Sequence, residues 1–150
     1  MNVLFLCVGN TCRSPMAEAL LKSKLRKKKI KGVNVRSCGL KAVEGMPADT
    51  RAITVCAENG ISLKRFKTAC LNEEIRDWAD IIICMTSDIR DFACCDKATD
   101  LTLLYGLPPI SDPYGGDLED YRKAFYDLNF ACELLAKDII SQNKICKGEN

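Results

Sequence analysis

Asn2-Val3-Leu4-Phe5-Leu6-Cys7-Val8-Gly9-Asn10-Thr11-Cys12-Arg13-Ser14-Pro15 is the stretch on which the fold turns. Asn2 to Cys7 is a largely apolar run of strand length that ends on a thiol. Gly9 and Asn10 break the run, because both accept the positive φ that most residues avoid. Pro15 follows where a first helical turn tolerates proline, so a helix is expected from Ser14 to about Lys29. This order places the loop at a helix N-terminus, where unpaired N–H groups and the helix dipole favour an anion.

Outward from this unit, strands and helices alternate. Val33 to Ser37 reads as a short strand, Ala48 to Asn59 as a helix stopped by Gly60, and Asn72 as the cap of a helix through Ala79. Asp80 to Met85, around Ile81-Ile82-Ile83, has the composition of a central strand. A helix near Ser87 to Cys95 and a strand near Leu101 to Tyr105 follow, then a loop rich in proline and glycine from Leu107 to Gly116. After Asp117, residues Leu118, Tyr121, Phe125, Leu128, Cys132, Leu135 and Ile139 recur at steps of three and four, the core-facing stripe of a long helix. The pattern predicts an α/β fold: a single domain over residues 1–150, with a central parallel four-stranded sheet and helices on both faces. In such folds ligands bind beyond the carboxyl ends of the strands, which is where the first strand delivers Cys7.

Composition narrows the chemistry. With 150 residues, 47% hydrophobic and 28% charged, the chain suits one soluble domain, and a net charge of +2 gives no footprint for nucleic acid. No apolar run approaches the ~20 residues that span a bilayer, so no membrane partner is expected. The N-terminus reads as a strand entering a loop rather than a signal peptide, which points to a cytoplasmic protein. The ten cysteines (7, 12, 38, 56, 70, 84, 94, 95, 132 and 146) are expected to be reduced, many of them filling core positions. Cys-x-x-Cys is absent and so is histidine, which removes zinc fingers, histidine-based zinc hydrolases and every triad with an imidazole base. What remains for the chemistry is thiol, carboxylate and guanidinium.

The spacing Cys-x5-Arg occurs from Cys7 to Arg13, from Cys70 to Arg76 and from Cys84 to Arg90. Spacing alone therefore decides nothing. A phosphate loop needs successive inward N–H groups, a residue tolerant of positive φ, and no carboxylate facing the anion. The Cys70 segment carries Glu73 and Glu74, and the Cys84 segment carries Asp88; neither has a glycine. Only Cys7 to Ser14 qualifies, with Val8, Gly9, Asn10, Thr11, Cys12 and Ser14 as the phosphate cradle. Arg13 can grip two phosphate oxygens with its planar fork, and Ser14 can donate to the sulfur. The same features are expected to depress the Cys7 pKa and supply a thiolate nucleophile.

The run from Leu4 to Glu18 resembles the signature of low-molecular-weight protein tyrosine phosphatases, and the likeness spans the chain. Arg36-Ser37-Cys38-Gly39, Ile83-Cys84-Met85-Thr86 and Asp112-Pro113-Tyr114-Gly115-Gly116 also have counterparts there. The resemblance implies that Ser37 supports Asn10 in holding the loop. It implies that Asp112 is the general acid and then the base, acting on a phosphocysteine at Cys7, with no metal or other cofactor. It further implies that Cys12 can trap oxidised Cys7 as a reversible disulfide. Many members carry a loop-steadying histidine after the second helix; here Lys64-Arg65-Phe66 stands near that place.

Two differences bear on substrate. Tyrosine-specific members usually have an aliphatic residue where Thr11 stands, and often two aromatics after Asp-Pro. Thr11, Met85-Thr86 and a single Tyr114 before two glycines resemble the branch that dephosphorylates arginine on proteins. Phosphorylated proteins are thus the expected partners, phosphoarginine the expected group and phosphotyrosine the alternative. Thr11 and Tyr114 would set specificity. Arsenate reductases share the fold, but Thr86 occupies roughly their first relay position, and Cys84, Cys94 and Cys95 do not reproduce their spacing.

Overall fold

In the computed structural model the described residues are 1–146, with side chains described through 142. β1 (Asn2–Cys7) lies between β2 (Asn34–Gly39) and β3 (Ile81–Cys84), and β4 (Ala98–Asp100) completes a parallel sheet of order β2-β1-β3-β4. Val3 to Leu6 and Ile82 to Cys84 have no exposed surface, as expected of strands covered on both sides. The steps β1→β2 and β3→β4 run in opposite directions, so right-handed crossovers put their helices on opposite faces. The order changes direction beside β1, which makes the end of β1, Cys7, the natural crevice.

α1 (Arg13–Lys27) packs along α6 (Leu118–Cys146), joined by Lys24 Nζ to Glu133 Oε2 at 2.9 Å. The α6 stripe is buried at Tyr121, Phe125, Leu128, Cys132, Leu135 and Ile139. α2 (Thr50–Glu58) starts two residues later than expected, because Asp49 caps it by accepting from the Arg51 N–H. α3 (Glu73–Trp78) is capped by Asn72, whose Oδ1 accepts from the Ile75 N–H at 2.8 Å.

The fourth strand is not Leu101 to Tyr105. Those residues begin with a helical turn, α5 (Leu101–Leu104), and the strand is the three residues before it. Asp100 decides the matter: its Oδ1 accepts from the N–H groups of Thr102 (2.7 Å) and Leu103 (3.1 Å) and from Thr102 Oγ1 (2.7 Å). An apolar run cannot distinguish strand from helix, and here a cap on the preceding residue does.

The nine cysteines from Cys7 to Cys132 are free thiols. Burial pushes Cys38, Cys56, Cys84 and Cys132 up to about 12, as expected of sulfur used to fill a core. Cys146, counted among the reduced thiols, lies outside the residues whose side chains are described. Among the described residues no helix is long and apolar enough to cross a membrane.

Candidate active site

The loop between β1 and α1 is closed by one backbone turn and one missing side chain. Asn10 takes the positive φ, +58°, whereas Gly9 stays outside that region. Gly39 at the end of β2 is fixed by contact: a Cβ there would lie 2.4 Å from the Val8 carbonyl oxygen and 3.0 Å from Asn10 N. The two residues that follow β2 can therefore donate, Leu40 N–H to Cys7 O (2.9 Å) and Lys41 N–H to Val8 O (3.0 Å). At the start of α1, Cys12 makes no side-chain cap and the first turn holds no acid. Its N–H groups remain available to an anion in the loop.

Cys7 is buried, and Ser14 Oγ lies 2.7 Å from its sulfur. Asn10 settles the direction of that bond. Its Oδ1 accepts from Ala69 N–H at 2.9 Å, so its amide nitrogen faces the other way and donates to Ser14 Oγ (2.9 Å) and Ser37 Oγ (3.0 Å). Ser14, already accepting, turns its hydrogen to Cys7; Ser37 likewise donates to Glu18 Oε2 at 2.5 Å. Asn10 N–H donates to Cys7 Sγ at 3.1 Å. The pKa is not lowered as expected. Burial pushes the Cys7 thiol up, outweighing the Ser14 hydroxyl, the Asn10 and Ser14 N–H groups and Arg13, all of which pull it down. A thiolate at this depth depends on every one of those groups.

A cavity of about 310 Å³ is lined by the loop from Cys7 to Arg13 together with Asp112 and Tyr114. Asp112 thus reaches the site from a loop far along the chain, and Thr11 and Tyr114 share its wall. Arg13 is nearly buried; its Nη1 donates to Ile110 O at 3.0 Å, and its Nη2 lies 3.5 Å from Asp112 Oδ2. Asp112 is mostly exposed and accepts from Tyr114 N–H at 3.1 Å. Cys12 faces away from solvent, 3.1 Å from Tyr121 Oη, and burial pushes its thiol up. The Cys70 and Cys84 segments contribute nothing to this cavity; Cys84 is core, and Thr86 caps α4 (Ser87–Ala93) by accepting from Ile89 N–H at 3.4 Å.

Sequence reasoning missed four supports. Glu18 anchors Ser37, and the only trace of it was the spacing of four from Ser14, which puts both on one face of α1. Tyr121 was read as core; it is fully buried, yet its hydroxyl reaches Cys12. Arg51 pairs with Asp49 at 2.9 Å, donates to Gly116 O, and lies 4.9 Å from the centre of the Tyr121 ring. It thereby ties the loop bearing Asp112 to α2, while Asp49 N–H donates to Thr11 O at 2.9 Å. Without the histidine of many family members, the loop rests on Ser37, Ala69 and Glu18.

A doubly wound sheet that presents a buried thiol in a loop of phosphate size, beside an arginine and a carboxylate, defines a cysteine-dependent phosphatase. Residues 2–145 match the family "Low molecular weight phosphotyrosine protein phosphatase", and the chain belongs to that family. It is 38% identical over 146 residues to a protein-arginine-phosphatase of Geobacillus stearothermophilus, covering 92% of this chain and 95% of that protein. It is 31% identical to the low molecular weight protein-tyrosine-phosphatase Etp of Escherichia coli (strain K12), covering 91% and 93%. A solved YwlE arginine phosphatase, a Cys-to-Ser variant with a phosphorylated active-site serine, superposes with a TM-score of 0.87 at 33% identity, covering 93% of this chain and 95% of that one. The chain is a cysteine-based protein phosphatase.

Proposed function

We propose that the protein hydrolyses phosphoarginine on proteins, with Cys7 as nucleophile, Arg13 as the phosphate clamp and Asp112 as acid and base. The Cys7 thiolate attacks phosphorus, and the P–N bond breaks as Asp112 gives its proton to the departing guanidino nitrogen. Arg13 and the loop amides take the charge on the equatorial oxygens. Water then attacks the phosphocysteine, giving its proton to Asp112; phosphate leaves and Ser14 steadies the returning thiolate. An incoming phosphoryl group competes with Asp112 for Arg13, whose Nη2 lies 3.5 Å from Asp112 Oδ2.

The lining of the cavity carries the choice of arginine. Thr11 offers a hydroxyl where an aliphatic residue would offer none, and a site that hydrogen-bonds its substrate discriminates against one that cannot reciprocate. Tyr114 is a single aromatic wall, because Gly115 follows at φ +77°, a conformation closed to a second aromatic side chain. The relative that resembles the chain at 38% identity is itself a protein-arginine-phosphatase. A reduced Cys7 suits the cytoplasm, and Cys12 in the same loop protects it reversibly from oxidation. Single-turnover rates on matched phosphoarginine and phosphotyrosine peptides test the reading. The parent should favour phosphoarginine and Thr11→Ile should move the ratio toward phosphotyrosine; a parent that favours phosphotyrosine, with the ratio unmoved in the variant, establishes the tyrosine alternative.

A further inference from the structure

Behind the phosphate loop lies a second cavity of about 730 Å³, more than twice the volume of the first. Its lining contains Lys22, Arg26, Arg36, Lys64, Arg65 and Lys67 against a single carboxylate, Glu18. Glu18 is already engaged by Lys22 Nζ at 2.6 Å and Ser37 Oγ at 2.5 Å. Among the described residues none of the other five cations forms an ion pair. A concave surface with this imbalance focuses positive potential, and its arginines present forks that match phosphate oxygens.

The Asn10 carboxamide links the two cavities through its hydrogen bonds. Asn10 lines the first cavity, while two of its three side-chain partners, Ser37 and Ala69, line the second. From the rear cleft the chain of donors runs Ser37 to Glu18 on one side and Asn10 to Ser14 to Cys7 on the other.

We propose that the rear cleft is a second binding site, for a polyphosphate anion, and that its occupancy alters turnover at Cys7. The anion competes with Glu18 for Lys22. Ser37 is then left as the remaining partner of the carboxylate, and the field at Asn10 and Cys7 changes. The shared chemistry is a chain of phosphates, inorganic or carried by a nucleoside, for which partly buried Phe66 offers an apolar surface.

The test is titration of the isotope-labelled full chain with tripolyphosphate and, in parallel, with ATP, at about 150 mM salt to screen non-specific attraction. Amide resonances of residues 62–69 should shift and saturate, and Arg65→Glu/Lys67→Glu should weaken binding at least about tenfold. Tighter binding of ATP assigns the site to nucleotides; equal binding assigns it to inorganic polyphosphate. With para-nitrophenyl phosphate as substrate, tripolyphosphate should change kcat in the parent and not in the double variant, whose basal rate is unaltered. Shifts confined to residues 7–14, undiminished affinity in the double variant, or purely competitive inhibition identical in both proteins would each overturn the proposal.

Discussion

Asn10 holds the loop by its backbone and its side chain at once, and two substitutions separate the roles. Asn10→Gly keeps the positive φ and deletes the carboxamide; Asn10→Ala deletes the carboxamide and strains the backbone at +58°. Both leave the half-buried Ala69 N–H without its 2.9 Å partner, at about 1 kcal/mol. Alanine in the left-handed region costs a further ~1–2 kcal/mol, against ~0.5–1 kcal/mol of glycine's own backbone entropy. Asn10→Ala should therefore unfold in urea with stability about 0.5–1 kcal/mol below Asn10→Gly, and both should fall below the parent. Both also release Ser14 from its donor, so its hydrogen no longer points to Cys7 by default. The pH profile of iodoacetamide alkylation of Cys7 should move to higher pH in both variants, because burial then meets less opposition. If alanine proves as stable as glycine, the loop does not depend on that φ. If the alkylation profile stays put in both, the relay through Ser14 is not what holds the thiolate.

Asp112→Ala should slow the chemical step on phosphoarginine more than on phosphotyrosine. General acid catalysis is worth ~10²–10⁴, and a guanidino nitrogen expelled without a proton is a far stronger base than phenolate (conjugate-acid pKa ~10) and leaves far less readily. Equal losses in single-turnover rate would remove Asp112 from the acid role. After mild peroxide, thiol reductant should restore the parent better than Cys12→Ser, since an untrapped sulfenic acid oxidises further; matching recovery would count against protection by Cys12. Gly39→Ala should lose about 1–3 kcal/mol on denaturation along with much of the activity, because its Cβ meets the Val8 carbonyl at 2.4 Å. Unchanged stability and rate would mean that β2 and the loop are not in the close contact described.

The strand, the loop and the first helix were legible because each is written in local chemistry: an apolar run, residues tolerant of positive φ, proline in the first turn. Asn10, Cys7 and Arg13 are close in sequence and therefore visible together. Asp112 lies 3.5 Å from Arg13 but far along the chain, and only family resemblance singled it out. Glu18 and Arg51 were invisible for a related reason. Each acts through a partner, Ser37 or Gly116, brought near by the fold. Leu101 to Tyr105 was misread because apolar composition suits both helix and strand, and the deciding oxygen sits on Asp100. The Cys7 pKa went astray by counting the groups that stabilise the anion and omitting the desolvation that opposes them.

The two margins of the sheet bear on how the protein behaves at high concentration. An open strand edge is a template for the edge of another molecule, and long flat ones lead to aggregation. β4 offers only three residues before Asp100 turns the chain into α5. At the other margin, β2 bears the exposed Arg36, which lies over the Trp78 ring at 5.1 Å. Its last residue is covered by backbone bonds, Gly39 N–H to Ala69 O and Leu71 N–H to Gly39 O, both 2.9 Å. Among the described residues, the shortness of β4, the charge at Arg36 and the cover at Gly39 all disfavour self-association by strand addition.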